Sequence, residues 1–252
     1  MSAMRLYNYI IAVLIKALFA LGRKLENGAE AVLDVVGFSR GAALALHFAN
    51  MVNIKGAPLP STRKKRRKRV CNQSRRGGRY ITQYKYDWVR VHVRWIGLWD
   101  AVPAMGLPDN NINIGYRLAV PKGAAVSHAM ALNVSNSNFI LHRVKRAHEV
   151  WFMGNHGEVG GSSGDILLSD CTLGWMAKEA VNHNVPIDLS GVTIPVSENL
   201  AAPKHKESKT RIRGRRTVLA GDLVHCSVRK AAYSKIPWTS ITVERNDQQS
   251  GK

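Results

Sequence analysis

Apolar positions along the chain change spacing several times, and each change predicts an element. Tyr9 to Leu21 is an apolar stretch broken by Lys16, which predicts a helix over about residues 5–25. The stretch is shorter than the roughly 20 apolar residues of a membrane span. Its expected place is therefore against a sheet, not in a bilayer or a cleaved leader. Ala31 to Val36 is continuously apolar and reads as a buried strand, and a helix should follow from about Arg40 to Met51. Tyr86 to Leu98 alternates and then becomes continuously apolar, as a strand running inward does. Val126 to Leu132 suggests a short helix carrying His128, and Glu149 to Met153 a short strand stopping in the glycine-rich turn 154–161. Leu167 to His183 has helical spacing, 186–209 reads as loop, and a frayed tail begins at Asp247. Strands alternating with helices, without an internal repeat, make the expected class α/β.

Composition adds one unusual term. The chain has 252 residues, 45% hydrophobic and 21% charged, which suits a globular domain with a large core. Its formal net charge of +20 is concentrated in two places. Ten Arg or Lys lie between Arg63 and Arg79 and seven between Lys204 and Arg216, with Glu207 the one acid among them. The rest is close to neutral, so any polyanionic partner belongs to those segments. We therefore expect one domain over residues 1–246, with basic insertions at about 56–79 and 203–216. Cys71, Cys171 and Cys226 are widely spaced and fit reduced thiols. No spacing suits a metal, and neither a metal nor an organic cofactor is expected.

The run Val35-Val36-Gly37-Phe38-Ser39-Arg40-Gly41 carries chemistry. A Gly-x-Ser-x-Gly between a buried strand and a helix is what a nucleophile elbow needs, with the serine strained at the tip of a tight turn. Gly37 and Gly41 are expected where a Cβ would collide, and both are candidate pocket residues. The backbone N–H of Arg40, at the start of the helix, is the candidate oxyanion donor.

Two further polar residues stand at strand ends. Asp100 follows the inward strand just before Ala101-Val102-Pro103, and His156 sits in the turn after 149–153. A serine hydroxyl needs an imidazole to take its proton, and the imidazole needs a carboxylate to orient it. Ser39, Asp100 and His156 supply those types in the chain order of α/β-hydrolase triads. His225, after the apolar Leu223-Val224, is the alternative base and a candidate pocket residue, while His128 and His148 read as structural or surface groups.

VVGFSRGAA (35–43), IGLWDAVPAMG (96–106), EVWFMGNHGEVGG (149–161), LSDCTLGWM (168–176) and GDLVHCSV (221–228) resemble successive motifs of one α/β-hydrolase family. It is the family of formerly unknown function that includes lipase effectors of bacterial type VI secretion systems. The resemblance covers about residues 32–237. It implies a three-layer α/β-hydrolase-like sandwich with a mostly parallel sheet, Ser39 as nucleophile, Asp100 as acid and His156 as base. It further implies glycerophospholipid esters as substrate, and a secretion apparatus or immunity protein as partner. The expected location is the cytoplasm of the producing cell, with any export independent of a cleaved signal peptide. The family's opening strand with Asp-Gly-Thr is not found here, so the N-terminal strands and the second oxyanion donor are expected to be lacking.

The leading expectation is a serine esterase acting on phospholipid at anionic membranes. The alternative is a weakly active or inactive hydrolase-fold protein that binds nucleic acid or anionic surfaces. Arg63, Lys64, Lys65, Arg66, Arg67, Lys68 and Arg69 would serve either as a membrane-docking loop or as a phosphate-binding arm. No aromatic interrupts that run, which argues against base stacking.

Overall fold

A computed structural model describes residues 3–71, 78–104, 117–134, 139–162, 166–190, 216–228 and 239–244. The elements in chain order are α1 (Ala3–Glu26), β1 (Val32–Phe38), α2 (Arg40–Lys55), β2 (Ala57–Pro58), a 3-10 turn (Pro60–Thr62), β3 (Lys64–Cys71) and β4 (Gly78–Lys85). There follow β5 (Trp88–Val89), β6 (His92–Trp99), β7 (Ala125–Ala131), β8 (His148–Phe152), α3 (His156–Gly160), α4 (Ile166–Asn182), β9 (Leu223–His225) and β10 (Thr242–Glu244). They form two compact units, Met1–Leu33 with Met51–His92, and Asp34–Asn50 with Val93–Lys252.

In the first unit α1 buries Ile10, Leu14 and Leu18, one residue per turn, and leaves Val13 and Ile15 exposed. A Cβ on Gly22 would fall 1.8 Å from the carbonyl oxygen of Pro58, so only glycine lets the helix approach β2. Among the described residues, no helix is long and apolar enough to cross a membrane. Two antiparallel pairs complete the unit, β2 with β5 and β3 with β4.

The second unit is built on a sheet ordered β1-β6-β7-β8-β9-β10. The pairs β6–β7, β7–β8, β8–β9 and β9–β10 are parallel, which is the α/β-hydrolase-like arrangement. Its core holds Trp95, Met130, Trp151, Phe152, Met153, Trp175, Met176 and Val224. Each tryptophan still needs an acceptor for its N–H, and each has one. Trp95 donates to Ser127 Oγ (3.0 Å), Trp151 to Asp222 (2.8 Å) and Trp175 to Glu244 (2.7 Å).

Four expectations need correction. The stretch expected as a helix over 126–132 is strand as far as Ala131, the greater part of β7. Small residues such as Ala129 and Ala131 favour a helix locally, but this segment is buried on both faces between β6 and β8, and that packing overrides propensity. The glycine-rich stretch after β8 contains the one-turn helix α3, because Asn155 and Glu158 close a capping box. Tyr86 to Leu98 is two strands, β5 and β6. The basic stretch expected as a docking loop is a hairpin: 64–71 pairs with 78–85 over eight positions. The second basic segment lies outside the described residues except for Arg216, as does the tail from Asp247.

The end of the sheet is tied to α4 through His148. Its Nδ1 meets Glu179 (2.8 Å) and its Nε2 meets Glu244 (3.0 Å). These two carboxylates raise its pKa to about 10 against the opposing effect of burial. Between about pH 6.5 and that value the folded chain holds a proton that the unfolded chain has released. The contribution is thus complete below about 6.5 and is lost as pH rises towards 10. Urea midpoints should therefore fall between pH 7 and 10 more steeply for the parent than for His148→Gln. Parallel profiles would contradict the clamp.

Candidate active site

Ser39 stands between β1 and α2 with φ 58°, in the left-handed region. That backbone is held on both sides. The Ser39 N–H donates to Trp99 O (2.9 Å), and the Ser39 carbonyl accepts from Ala42 (3.0 Å) and Val102 (3.2 Å). A Cβ on Gly37 would fall 2.5 Å from Gly41 O, so the turn closes only over glycine there. Gly41 differs from expectation, since a Cβ at that position would meet nothing within 4 Å. Arg40 opens α2, and the first N–H groups of a helix have no acceptor within it.

Asp100 follows β6 with φ 45° and is fully buried. Its N–H donates to Ala129 O (2.8 Å), and the N–H of the next residue, Ala101, donates to Nε2 of His128 (3.1 Å). Because that nitrogen accepts, His128 carries its proton on Nδ1 and donates to Glu149 (3.0 Å). His128 is thus the brace of the Asp100 turn.

The Asp100 carboxylate has a partner on each oxygen. Oδ2 accepts from Nδ1 of His156 (2.5 Å), and Oδ1 accepts from the N–H of Ala131 (2.9 Å) and from Nη1 of Arg216. Arg216 also donates to the carbonyls of Ala131 (2.7 Å) and Phe139 (3.0 Å). Burial pushes the Asp100 pKa up, but the His156 hydrogen bond and the Arg216 charge outweigh it and hold the carboxyl below its usual range. The second basic segment was expected to be an insertion, and the side chain of its last residue is a buried partner of the acid. The surrounding run of cations hid it. The one visible signal is that Arg216 is the last cation before the apolar Val218-Leu219, one residue beyond it.

His156 is the first residue of α3, fixed by the Asn155 cap, in which Asn155 and the fully buried Glu158 exchange side-chain-to-backbone bonds of 2.9 and 2.7 Å. Its imidazole lies between Phe38 (centroids 4.7 Å apart) and Phe139 (4.4 Å, nearly parallel). Nε2 is 2.8 Å from Ser39 Oγ. Ser39, His156 and Asp100 therefore form one continuous hydrogen-bonded line. Such a line can pass the serine proton to the imidazole while a buried anion steadies the resulting cation.

His225 is elsewhere. It is fully buried in the core, stacked on Phe152 (4.5 Å) and bonded to Ser227 (3.0 Å), with Cys171 Sγ at 3.5 Å. A cleft of about 480 Å³ runs between Val36, Gly37 and Phe38 of β1 and Ser169, Thr172 and Leu173 of α4. His225 does not line it, because β9 is three strands removed from β6 in the sheet. Ser39 does not line it either, so the cleft is beside the hydroxyl. Among the described residues, no cluster of His, Cys, Asp or Glu is arranged to hold a metal ion.

The model of one protein family, the catalytic domain of Tle1-like phospholipase effectors of the type VI secretion system (T6SS), matches residues 15–179. Comparison with individual curated proteins gives no match. The matched span includes Ser39, Asp100 and His156 and ends before Arg216, β9 and β10.

The two elbow glycines should respond differently to alanine. Gly37→Ala forces a Cβ against backbone and should cost on the order of 1–3 kcal/mol in urea unfolding, whereas Gly41→Ala should leave stability near that of the parent. Equal losses at both positions would contradict this description of the turn.

Proposed function

The chain belongs to the Tle1-like family of T6SS phospholipase effectors, and we propose that it is a serine esterase cleaving glycerophospholipid acyl esters through Ser39, His156 and Asp100. The observation carrying this reading is the unbroken line from Ser39 Oγ through both nitrogens of His156 to Asp100.

In the proposed cycle, Ser39 Oγ attacks the ester carbonyl while His156 Nε2 takes its proton. Positioned general-base help of this kind is worth about 10²–10⁴ in rate. The imidazolium is stabilised by Asp100, whose charge is kept by the Arg216 guanidinium on its other oxygen. The developing oxyanion lies towards the first turn of α2, where the Arg40 N–H is the proposed donor, and one such donor contributes about 10²–10³. As the tetrahedral intermediate collapses, His156 returns its proton to the departing alcohol oxygen. A water, activated by the same imidazole, then releases the fatty acid and restores Ser39. The strained backbone at Ser39 and Asp100 keeps both groups at the turn tips before substrate arrives.

Fatty-acid release from a diacyl phospholipid in mixed micelles tests the reading. Ser39→Ala should lower it by roughly 10⁴-fold or more. Activity retained in that variant would refute the nucleophile.

The pH profile tests the role of Arg216 separately. Without the guanidinium, Asp100 becomes easier to protonate, so the acid limb of kcat/KM should move to higher pH in Arg216→Met. Arg216→Lys should restore part of the shift. A uniform loss of rate with an unmoved limb would mean that Arg216 only supports the fold.

A further inference from the structure

We propose that the β3–β4 hairpin is a docking surface for anionic phospholipid bilayers. The proposal rests on the function proposed above only for its choice of lipid, and it adds a partner surface to that function.

Neither β3 nor β4 pairs with any other strand among the described residues, so both are edges. Lys64, Lys65, Arg66, Arg67 and Lys68 are all exposed, as are Thr82, Gln83, Tyr84 and Lys85 on the returning strand. Residues 63–86 include eleven Arg or Lys and no Asp or Glu, so the ribbon contains no counter-charge of its own. Lys64 stands directly opposite Lys85, and like charges in that position oppose pairing. A two-stranded hairpin is marginal in water to begin with. An anionic surface would relieve the repulsion and so stabilise the ribbon. One or two lysines suffice to protect a strand edge from aggregation, and this hairpin has far more.

The pairing also supplies what the basic run by itself does not. Tyr84 lies opposite Lys65, and Tyr80 shares its face with Arg67 and Thr82, because directly paired residues point the same way and each strand alternates. Both rings are exposed, Tyr80 by 60% and Tyr84 by 48%. No aromatic interrupts the run itself, and the rings arrive across the hairpin. Arg63 lies over the Tyr84 ring at 4.9 Å and Arg67 over Tyr80 at 5.6 Å. One face of each ring is thus taken by a guanidinium, which leaves a stacking base only the other. A tyrosine with an apolar body and a hydroxyl tip, flanked by cations, suits the headgroup layer of a membrane. These features favour lipid phosphates over nucleic acid.

Each basic residue held at an anionic surface strengthens binding by roughly fivefold. The test uses the full chain carrying Ser39→Ala, so that vesicles are not consumed during sedimentation. It should bind vesicles of a two-to-one mixture of phosphatidylcholine and phosphatidylglycerol and scarcely bind phosphatidylcholine alone. Binding should collapse towards about 1 M salt, where charges are screened within about 3 Å. Replacing Lys64, Lys65, Arg66, Arg67 and Lys68 together with serine should weaken it by roughly a hundredfold or more. The milder pair Lys65→Gln with Arg67→Gln should cost about tenfold or more. The same substitutions in protein that retains Ser39 should leave hydrolysis of a soluble short-chain ester unchanged. Equal binding to neutral vesicles, undiminished binding by both variants, or joint loss of binding and ester hydrolysis in both would overturn the docking surface. So would binding to a single-stranded oligonucleotide with none to vesicles. Failure of the esterase reading is a separate result: vesicle binding persists while the Ser39 protein hydrolyses no ester.

Discussion

The arrangement at the strand ends depends on one fully buried charge, the Asp100 carboxylate. A buried carboxylate without partners is strongly disfavoured, so its surroundings must supply donors and a positive charge. Here the donors come from three separate parts of the chain: the Ala131 N–H at the end of β7, the His156 ring at the start of α3, and Arg216 just before β9. Satisfying Asp100 therefore fixes where those three segments meet. The imidazole is left no freedom, because its other nitrogen already faces Ser39 and its two ring faces are covered by Phe38 and Phe139.

The sheet provides the scale for this. Hydrogen bonds continue beyond the strands, from Ser39 to Trp99, from Asp100 to Ala129 and from Leu132 to Phe152, so the turn tips stay in register with the strands beneath. Parallel strands bring their carboxyl ends to one side, which is where open α/β sheets carry their chemistry. The positive φ at Ser39 and Asp100 is the strain this geometry stores, and the neighbouring bonds to Val102 and from Ala101 to His128 hold it in place.

What was legible in the sequence was local. Ser39 and Asp100 are marked by apolar runs that stop at a glycine-flanked serine or just before a proline, and His156 by an apolar strand entering glycines. The Asn155–Glu158 capping box is equally local, but the glycines around it mask its pattern. What escaped depends on pairing between distant positions. β7 looks helical until β6 and β8 enclose it, and the tyrosines at 80 and 84 join the cations at 63–68 only once the hairpin forms. Arg216 is indistinguishable from its neighbours in a run of cations until it is seen buried against Asp100.

The central claim is that Ser39 is a hydroxyl activated by this buried relay. Peptide mapping by mass spectrometry after treatment of the folded protein with a fluorophosphonate tests it most directly. The account predicts a single covalent adduct on Ser39, formed quickly by the parent and far more slowly by His156→Ala. An adduct on a different serine, or labelling of Ser39 that proceeds equally well without His156, would contradict it.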